Sequence, residues 1–184
     1  MEPKPFRLGL VVGRFQALHT GHEDMINRAI ALCDRVGIFV GSSQESGTFQ
    51  NPFSYDLRRR MLEDVFGSAV EIYPLPDIGV GNNGRWGEYV LNRVRDAMGA
   101  LPDLVVTGRE RRRLDWFDVP DGMGMSELYI PKTVEMSASQ MRQFFAENAF
   151  ERWKVYTNPK LWPRYEELRT LALRSAENRE TRSI

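Results

Sequence analysis

The residues best equipped for chemistry lie together near the start of the chain, in Gly13-Arg14-Phe15-Gln16-Ala17-Leu18-His19-Thr20-Gly21-His22. This stretch holds both histidines of the protein, three positions apart. Three positions are close to one helical turn, so two imidazoles at a helix start can address one phosphate chain. A helix N-terminus also presents unpaired N–H groups and the positive end of the peptide dipoles, which suits an anion. Gly21 lets the backbone approach a ligand closely, and Arg14 adds a permanent cation on the same loop. Far along the chain, Met136-Ser137-Ala138-Ser139-Gln140-Met141-Arg142 repeats this logic. Ser139 is placed to cap a helix, and Arg142 offers a fork of donors for phosphate oxygens. Two histidines at this spacing also occur as metal ligands, but no third Cys or His and no obvious carboxylate partner is close in sequence, so no protein-held metal site is assigned.

The surrounding pattern shows what must position these groups. Phe6 to Val12 is a short apolar run, long enough for a buried strand and too short for a helix. Met25, Ile26, Ala29, Ile30 and Cys33 then share one helical face, opposite Glu23, Asp24, Asn27 and Arg28. Val36 to Val40 reads as a second buried strand. Strand, helix and strand in this order make a βαβ unit, hence a parallel sheet with a right-handed crossover. The alternation continues. Ser54 caps a helix with an inner stripe of Leu57, Met61, Leu62, Val65 and Phe66, and Val70 to Leu75 is the next strand. Trp86, Val90, Val94 and Ala97 mark a third helix, Leu104 to Thr107 a strand ending at Gly108, and Leu128 to Ile130 another strand. Ser139 to Phe145 and Leu161 to Leu173 read as helical. The expected fold is an α/β, open, doubly wound parallel sheet, with residues 1–150 as its domain. Residues 151–184 form a helical extension packed on it, whose Arg/Glu-rich end from Arg174 frays. Ligands of such sheets bind outside the carboxyl ends of the strands, which directs attention to the loops after strands one, two and four.

Composition narrows the class further. The 184 residues include 25 basic and 25 acidic ones, so the balanced charge argues for neither a nucleic-acid nor a membrane partner. An anionic ligand must be captured locally. One cysteine, Cys33, excludes an internal disulfide and a Cys-based zinc site, and it reads as a buried packing thiol. No apolar stretch approaches a membrane span, and the N-terminus lacks a signal-type apolar region, so a cytoplasmic protein is expected.

The motifs together resemble a known family. Gly13-Arg14-Phe15-Gln16 followed by His19-Thr20-Gly21-His22 is similar to the G-R-F-Q-P-x-H-x-G-H signature of the H-x-G-H nucleotidyltransferases, in its archaeal-type nicotinamide-nucleotide adenylyltransferase form. Ala17 stands where that branch usually has proline. The loop from Gly41 to Phe53 resembles the G-S-A-Q-x-S-x-T-x-x-N-P-F segment of the branch. Pro74-Leu75-Pro76-Asp77-Ile78 with Trp86, Tyr89 and Val90 resembles its P-x-P-D-I and W-x-x-Y-V segment. Thr107-Gly108 matches a T-G pair, after which Arg109-Glu110-Arg111-Arg112-Arg113 replaces the usual Asn-Pro; such a charge run usually forms a solvated face. Ser137 to Arg142 is similar to the second signature, I-S-[AS]-T-x-I-R.

The resemblance implies a Rossmann-like sheet of the HUP type and transfer of AMP from ATP to nicotinamide mononucleotide, giving NAD and pyrophosphate. It assigns catalysis to His19, His22, Arg14 and Arg142, and ATP binding to Gly13, Phe15, Gly21, Gly108, Ser137 and Ser139. Gln16, Ser42, Asn51 and Trp86 fall to the nicotinamide nucleotide, with the indole stacking on the pyridinium or else serving as the first core residue of its helix. Magnesium travels with ATP, and the implied partners are the two nucleotides, with a homo-oligomer as many relatives form. Pantetheine phosphate, FMN and glycerol phosphate are acceptors of other H-x-G-H enzymes, and a non-catalytic nucleotide sensor could share the fold. Gln16, Asn51-Pro52-Phe53 and Trp86 are what favour nicotinamide mononucleotide among them.

Overall fold

A computed structural model describes residues 3–81, 84–108, 117, 124–131 and 136–180. The elements run β1 (Phe6–Gly13), α1 (Thr20–Leu32), β2 (Cys33–Gly41), α2 (Tyr55–Phe66), β3 (Glu71–Leu75), α3 (Gly84–Met98), β4 (Leu104–Gly108), β5 (Ser126–Ile130), α4 (Ala138–Ala146), α5 (Phe150–Lys154) and α6 (Tyr165–Glu180). The sheet order is β3-β2-β1-β4-β5, and every pairing is parallel. β1 pairs with β2 from Phe6↔Cys33 to Gly13↔Val40, and on its other edge with β4 from Gly9↔Leu104 to Val11↔Val106. The chain reverses direction across the sheet between β1 and β4, the position where open α/β sheets form their ligand crevice.

Side-chain alternation along β1 divides the core in two. Val11 packs with Ile26 of α1, Ile38, Leu62 of α2, Phe145 of α4 and Trp153 of α5. Leu10 turns the other way, to Phe39, Leu75 and the Val90, Val94 stripe of α3. With both faces covered, the central strands read as unbroken apolar runs rather than alternating ones.

Several boundaries differ from the sequence-based expectation. Cys33 is the first residue of β2, with φ −121° and ψ 141°, because α1 passes straight into the strand without a loop. Met98, rather than Ala97, closes the inner stripe of α3. The charged end beyond Arg174 remains helical to Glu180, with Ser175 buried and its hydroxyl donating to the Leu171 carbonyl. The C-terminal helices share the main core. Phe145 meets the rings of Trp153 and Tyr165 at 6.0 and 5.6 Å, and Arg169 Nε donates to the Phe145 carbonyl at 3.0 Å. Asn83, Glu135 and the Arg109–Arg113 run lie outside the described residues. No helix among those described is long and apolar enough to cross a membrane.

Burial raises the Cys33 thiol to about 11. Native protein at pH 8 should therefore leave a disulfide reagent unreacted, while the unfolded chain releases one thiol. A raised folded value also means that this group's contribution is present below the ordinary thiol range and is lost as pH climbs towards 11. Rapid thiol titration of the folded protein would contradict the assignment.

Candidate active site

The first loop leaves β1 through two residues in left-handed backbone, Phe15 at φ 50° and Ala17 at φ 107°. A proline at 17 could not adopt that φ, so this backbone path excludes the proline usual at the position. The turn drives Phe15, Ala17 and Leu18 into the core and leaves Arg14 exposed. Phe15 backs the His22 ring at a centroid distance of 5.1 Å. His19 and His22 lie against each other at 3.9 Å with their planes 34° apart, the close pair that their spacing predicted.

His19 is the N-cap of α1, and its Nδ1 accepts from the Gly21 N–H at 3.1 Å. An accepting Nδ1 is unprotonated, so the proton of the neutral ring sits on Nε2, which is thereby a donor. Glycine at 21 accommodates this cap, since a Cβ there would lie 3.1 Å from His19 Cε1. The remaining first-turn N–H groups are also engaged. Thr20 N donates to the Tyr156 carbonyl, and His22 N and Glu23 N donate to that of His19. The α1 terminus therefore acts on an anion mainly through its imidazoles and dipole rather than through open N–H groups. Tyr156 and Asn158, whose amide donates to Glu23 Oε2 at 2.9 Å, tie the C-terminal region to this helix start.

At α4 the cap is Ser137, not Ser139. Ser137 Oγ accepts from Gln140 N while Gln140 Oε1 accepts from Ser137 N, a reciprocal capping box. Ser139 lies inside the first turn and accepts from Arg142 Nη2 at 3.1 Å. The Arg142 guanidinium also sits 4.9 Å from the centroid of the Phe49 ring, while its buried Nε has no hydrogen-bond partner among the described residues. Burial, then the charge of Arg14, holds the Arg142 pKa down. Burial and the same Arg14 charge push that of Arg58 down to about 10. The charge of Arg14 on the first loop thus acts on the guanidinium groups of both α2 and α4. An anion relieves such repulsion.

The second loop begins at Ser42, again left-handed at φ 47°. Ser43 N donates to the Leu75 carbonyl, and Gln44 and Asp77 exchange side-chain and backbone hydrogen bonds, so this loop is stitched to the one after β3. Asn51 is 3% exposed, its Nδ2 donating to Glu45 Oε2 while Oδ1 is buried without a partner among the described residues. Gln16 is 4% exposed, and both ends of its amide are taken by the backbone of Phe53 at 3.0 and 3.1 Å. Gln16 thereby seats the Asn51-Pro52-Phe53 segment, while its second amide N–H and its second oxygen lone pair are not used by these two bonds. Trp86 is half-buried on α3, with its ring 6.3 Å from that of Phe117. Gly13 ends β1 opposite Val40, and Gly108 ends β4 beside Ile130. A Cβ at Gly108 would meet Met25 Sδ at 2.5 Å, so glycine there serves strand–helix packing. The residue that sequence reasoning missed is Arg58, buried in α2 at 0% exposure. Among the described residues no group of three or more His, Cys, Asp or Glu side chains could hold a metal.

Fold and site together define a Rossmann-like nucleotidyltransferase-type domain, with the histidine pair and its neighbouring arginines at the carboxyl edge of the sheet. The cytidylyltransferase-like family model matches residues 10–118. The nicotinamide-nucleotide adenylyltransferase of Aeropyrum pernix is 32% identical over 169 residues, which cover 86% of this chain and 90% of that protein. That of Saccharolobus solfataricus is 42% identical over 88 residues, covering 45% of this chain and 50% of that protein. The chain belongs to the nicotinamide-nucleotide adenylyltransferase family of the cytidylyltransferase-like proteins. Its match spans about half the length of several of these relatives and most of the Aeropyrum one. Among solved structures, a bifunctional NMN adenylyltransferase/ADP ribose pyrophosphatase from Francisella tularensis, complexed with AMP and a manganese ion, has the same fold. Its TM-score is 0.71 at 21% identity, over 95% of this chain and 53% of that one.

The cap geometry separates two roles of His19. Asparagine retains an acceptor near the Nδ1 position, whereas alanine loses it. His19→Asn should match the wild type in urea denaturation, and His19→Ala should lose about 1 kcal/mol. Equal stability of all three proteins would contradict the cap.

Proposed function

We propose that the chain transfers AMP from ATP to nicotinamide mononucleotide, releasing pyrophosphate and forming NAD. The observation that carries this reading is the His19–His22 pair, its rings 3.9 Å apart at the start of α1 where β1 ends, with Arg14 on the same loop and its charge acting on Arg142 of α4. The kinship with nicotinamide-nucleotide adenylyltransferases supports the choice of acceptor.

The chemistry asks little of a base. A 5′-phosphate oxygen of the mononucleotide, already ionised, attacks the α-phosphorus of ATP; the bond from that phosphorus to the α,β-bridging oxygen breaks, and pyrophosphate leaves with the electron pair. The protein must align two anions and stabilise the charge that builds on the α-phosphoryl and leaving oxygens. In this reading His19 donates from Nε2, and His22 is held beside it by Phe15. Arg142 offers its guanidinium N–H groups, preset by Ser139 and the Phe49 ring. Arg14 adds an exposed positive charge from the first loop. Gly13, Phe15, Gly21, Gly108, Ser137 and Ser139 belong to the ATP side of the site. Ser42, Asn51 and Trp86 belong to the mononucleotide side, with Gln16 holding the second loop for it. Asn51 Oδ1, a buried acceptor without a partner among the described residues, suits an amide N–H. The half-buried indole of Trp86 suits a cationic pyridinium. ATP enters as its magnesium complex, the metal being held by phosphate oxygens and water.

Pyrophosphate release from ATP, measured against nicotinamide mononucleotide, its deamido form, pantetheine phosphate and flavin mononucleotide, tests this directly. Nicotinamide mononucleotide should give the highest kcat/KM, and preference for another acceptor would overturn the reading. His22→Ala should lower kcat by ~10²-fold or more, as loss of a transition-state donor does. Trp86→Ala should chiefly raise the KM for the mononucleotide, by about 1 kcal/mol of lost stacking. A Trp86→Ala protein with unchanged KM and lower stability would show the indole to be a core residue only.

A further inference from the structure

Arg58 is the least expected charge in the molecule. It stands in Arg58-Arg59-Arg60, where Arg59 and Arg60 are exposed, whereas Arg58 has no exposed surface. Among the described residues no carboxylate pairs with it. Its acceptors are four main-chain carbonyls. Nη1 donates to Arg14 at 2.9 Å and to Gly41 at 2.8 Å, Nη2 to Ser42 at 3.1 Å, and Nε to Ser54 of its own helix at 3.2 Å. One planar group therefore joins the exits of β1 and β2 to the start of α2.

Those exits are strained. Ser42 has φ 47°, and Phe15, next to the Arg14 carbonyl, has φ 50°. Non-glycine residues in this region cost free energy and persist where their surroundings over-determine them. Arg58 supplies that determination at both places, since it grips the carbonyl of Ser42 itself and the peptide that leads into Phe15. A lysine carries the charge but a single donor atom, which cannot span three carbonyls in a fixed plane.

We propose that Arg58 is the positioning residue of the site: its guanidinium clamps the first and second loops into the paired geometry that receives the two nucleotides. It acts through Arg14, Phe15 and Ser42 without touching substrate. The buried charge adds to this, since burial and Arg14 already push its pKa down and an anion in front of the loops eases the repulsion. The inference deepens the adenylyltransferase reading and rests on it for the identity of the nucleotides, while the clamp itself is independent of that identity.

The test compares wild type, Arg58→Lys and Arg58→Met in two ways. Amide hydrogen exchange of the free protein reads the clamp. Residues 14–18 and 41–51 should exchange about tenfold faster or more in Arg58→Met and to an intermediate extent in Arg58→Lys, with α6 protected as in wild type. Steady-state pyrophosphate release reads the consequence. Arg58→Lys should raise the KM of both nucleotides and lower kcat, with kcat/KM falling about a hundredfold, and Arg58→Met should fall further. Unchanged loop exchange would overturn the proposal. So would protection lost evenly across the molecule, or failure of both variants to fold, because either marks a merely structural residue. If wild type itself makes no pyrophosphate with nicotinamide mononucleotide, the functional reading fails while the exchange comparison still decides the clamp.

Discussion

β1 lies between two parallel partners, β2 and β4, and that arrangement governs where everything else can go. Parallel neighbours end at the same edge, so the loops after β1, β2 and β4 must emerge side by side. The crossover helices that parallel pairing demands begin at that same edge and bring their N-terminal dipoles with them. α1 thus starts beside the end of β1, carrying His19 and His22. α2 starts after the second loop, carrying Arg58 beneath it. α4, after β5, brings Arg142 to the field of Arg14. A site that concentrates positive charge follows from the topology once these side chains occupy those starts.

The local devices at the two signature helices differ. At α1 the first-turn N–H groups are spent, on His19, on its carbonyl and on Tyr156, so the helix contributes oriented imidazoles. At α4 the capping box engages only Ser137 and Gln140, and Arg142 turns back over Ser139 and Phe49. Direct phosphoryl chemistry fits this division. It needs positioned donors and cations, and no activated nucleophile from the protein. The C-terminal region takes part through Tyr156 and Asn158, which fix the start of α1.

Much of this was legible in the sequence because two signals coincided. The apolar run Phe6–Val12 marks a strand, and the histidine pair at the onset of a 3.6-residue period marks a helix start, so the loop between them had to lie at a strand end. Ser54 as a cap and the Leu57, Met61, Leu62 stripe were readable for the same reason. Other features depend on tertiary contacts that periodicity does not encode. Arg58 sits in register beside Leu57 and Met61, yet an arginine between two others gives no sign that backbone carbonyls await it. Gln16 matches a ligand motif, while its amide is used by Phe53. Ser137 and Ser139 are equally good caps by residue type, and only the partner glutamine at position 140 separates them. Charge alone suggested fraying beyond Arg174, but Ser175 finds a buried place on the inner face of α6.

The central claim is a single in-line displacement at the α-phosphorus, without a covalent enzyme intermediate. It is tested most directly with ATP carrying a chiral α-thiophosphate and nicotinamide mononucleotide as acceptor, followed by determination of the configuration at phosphorus in the dinucleotide product. One displacement predicts inversion; retention would require two successive displacements and would contradict the account.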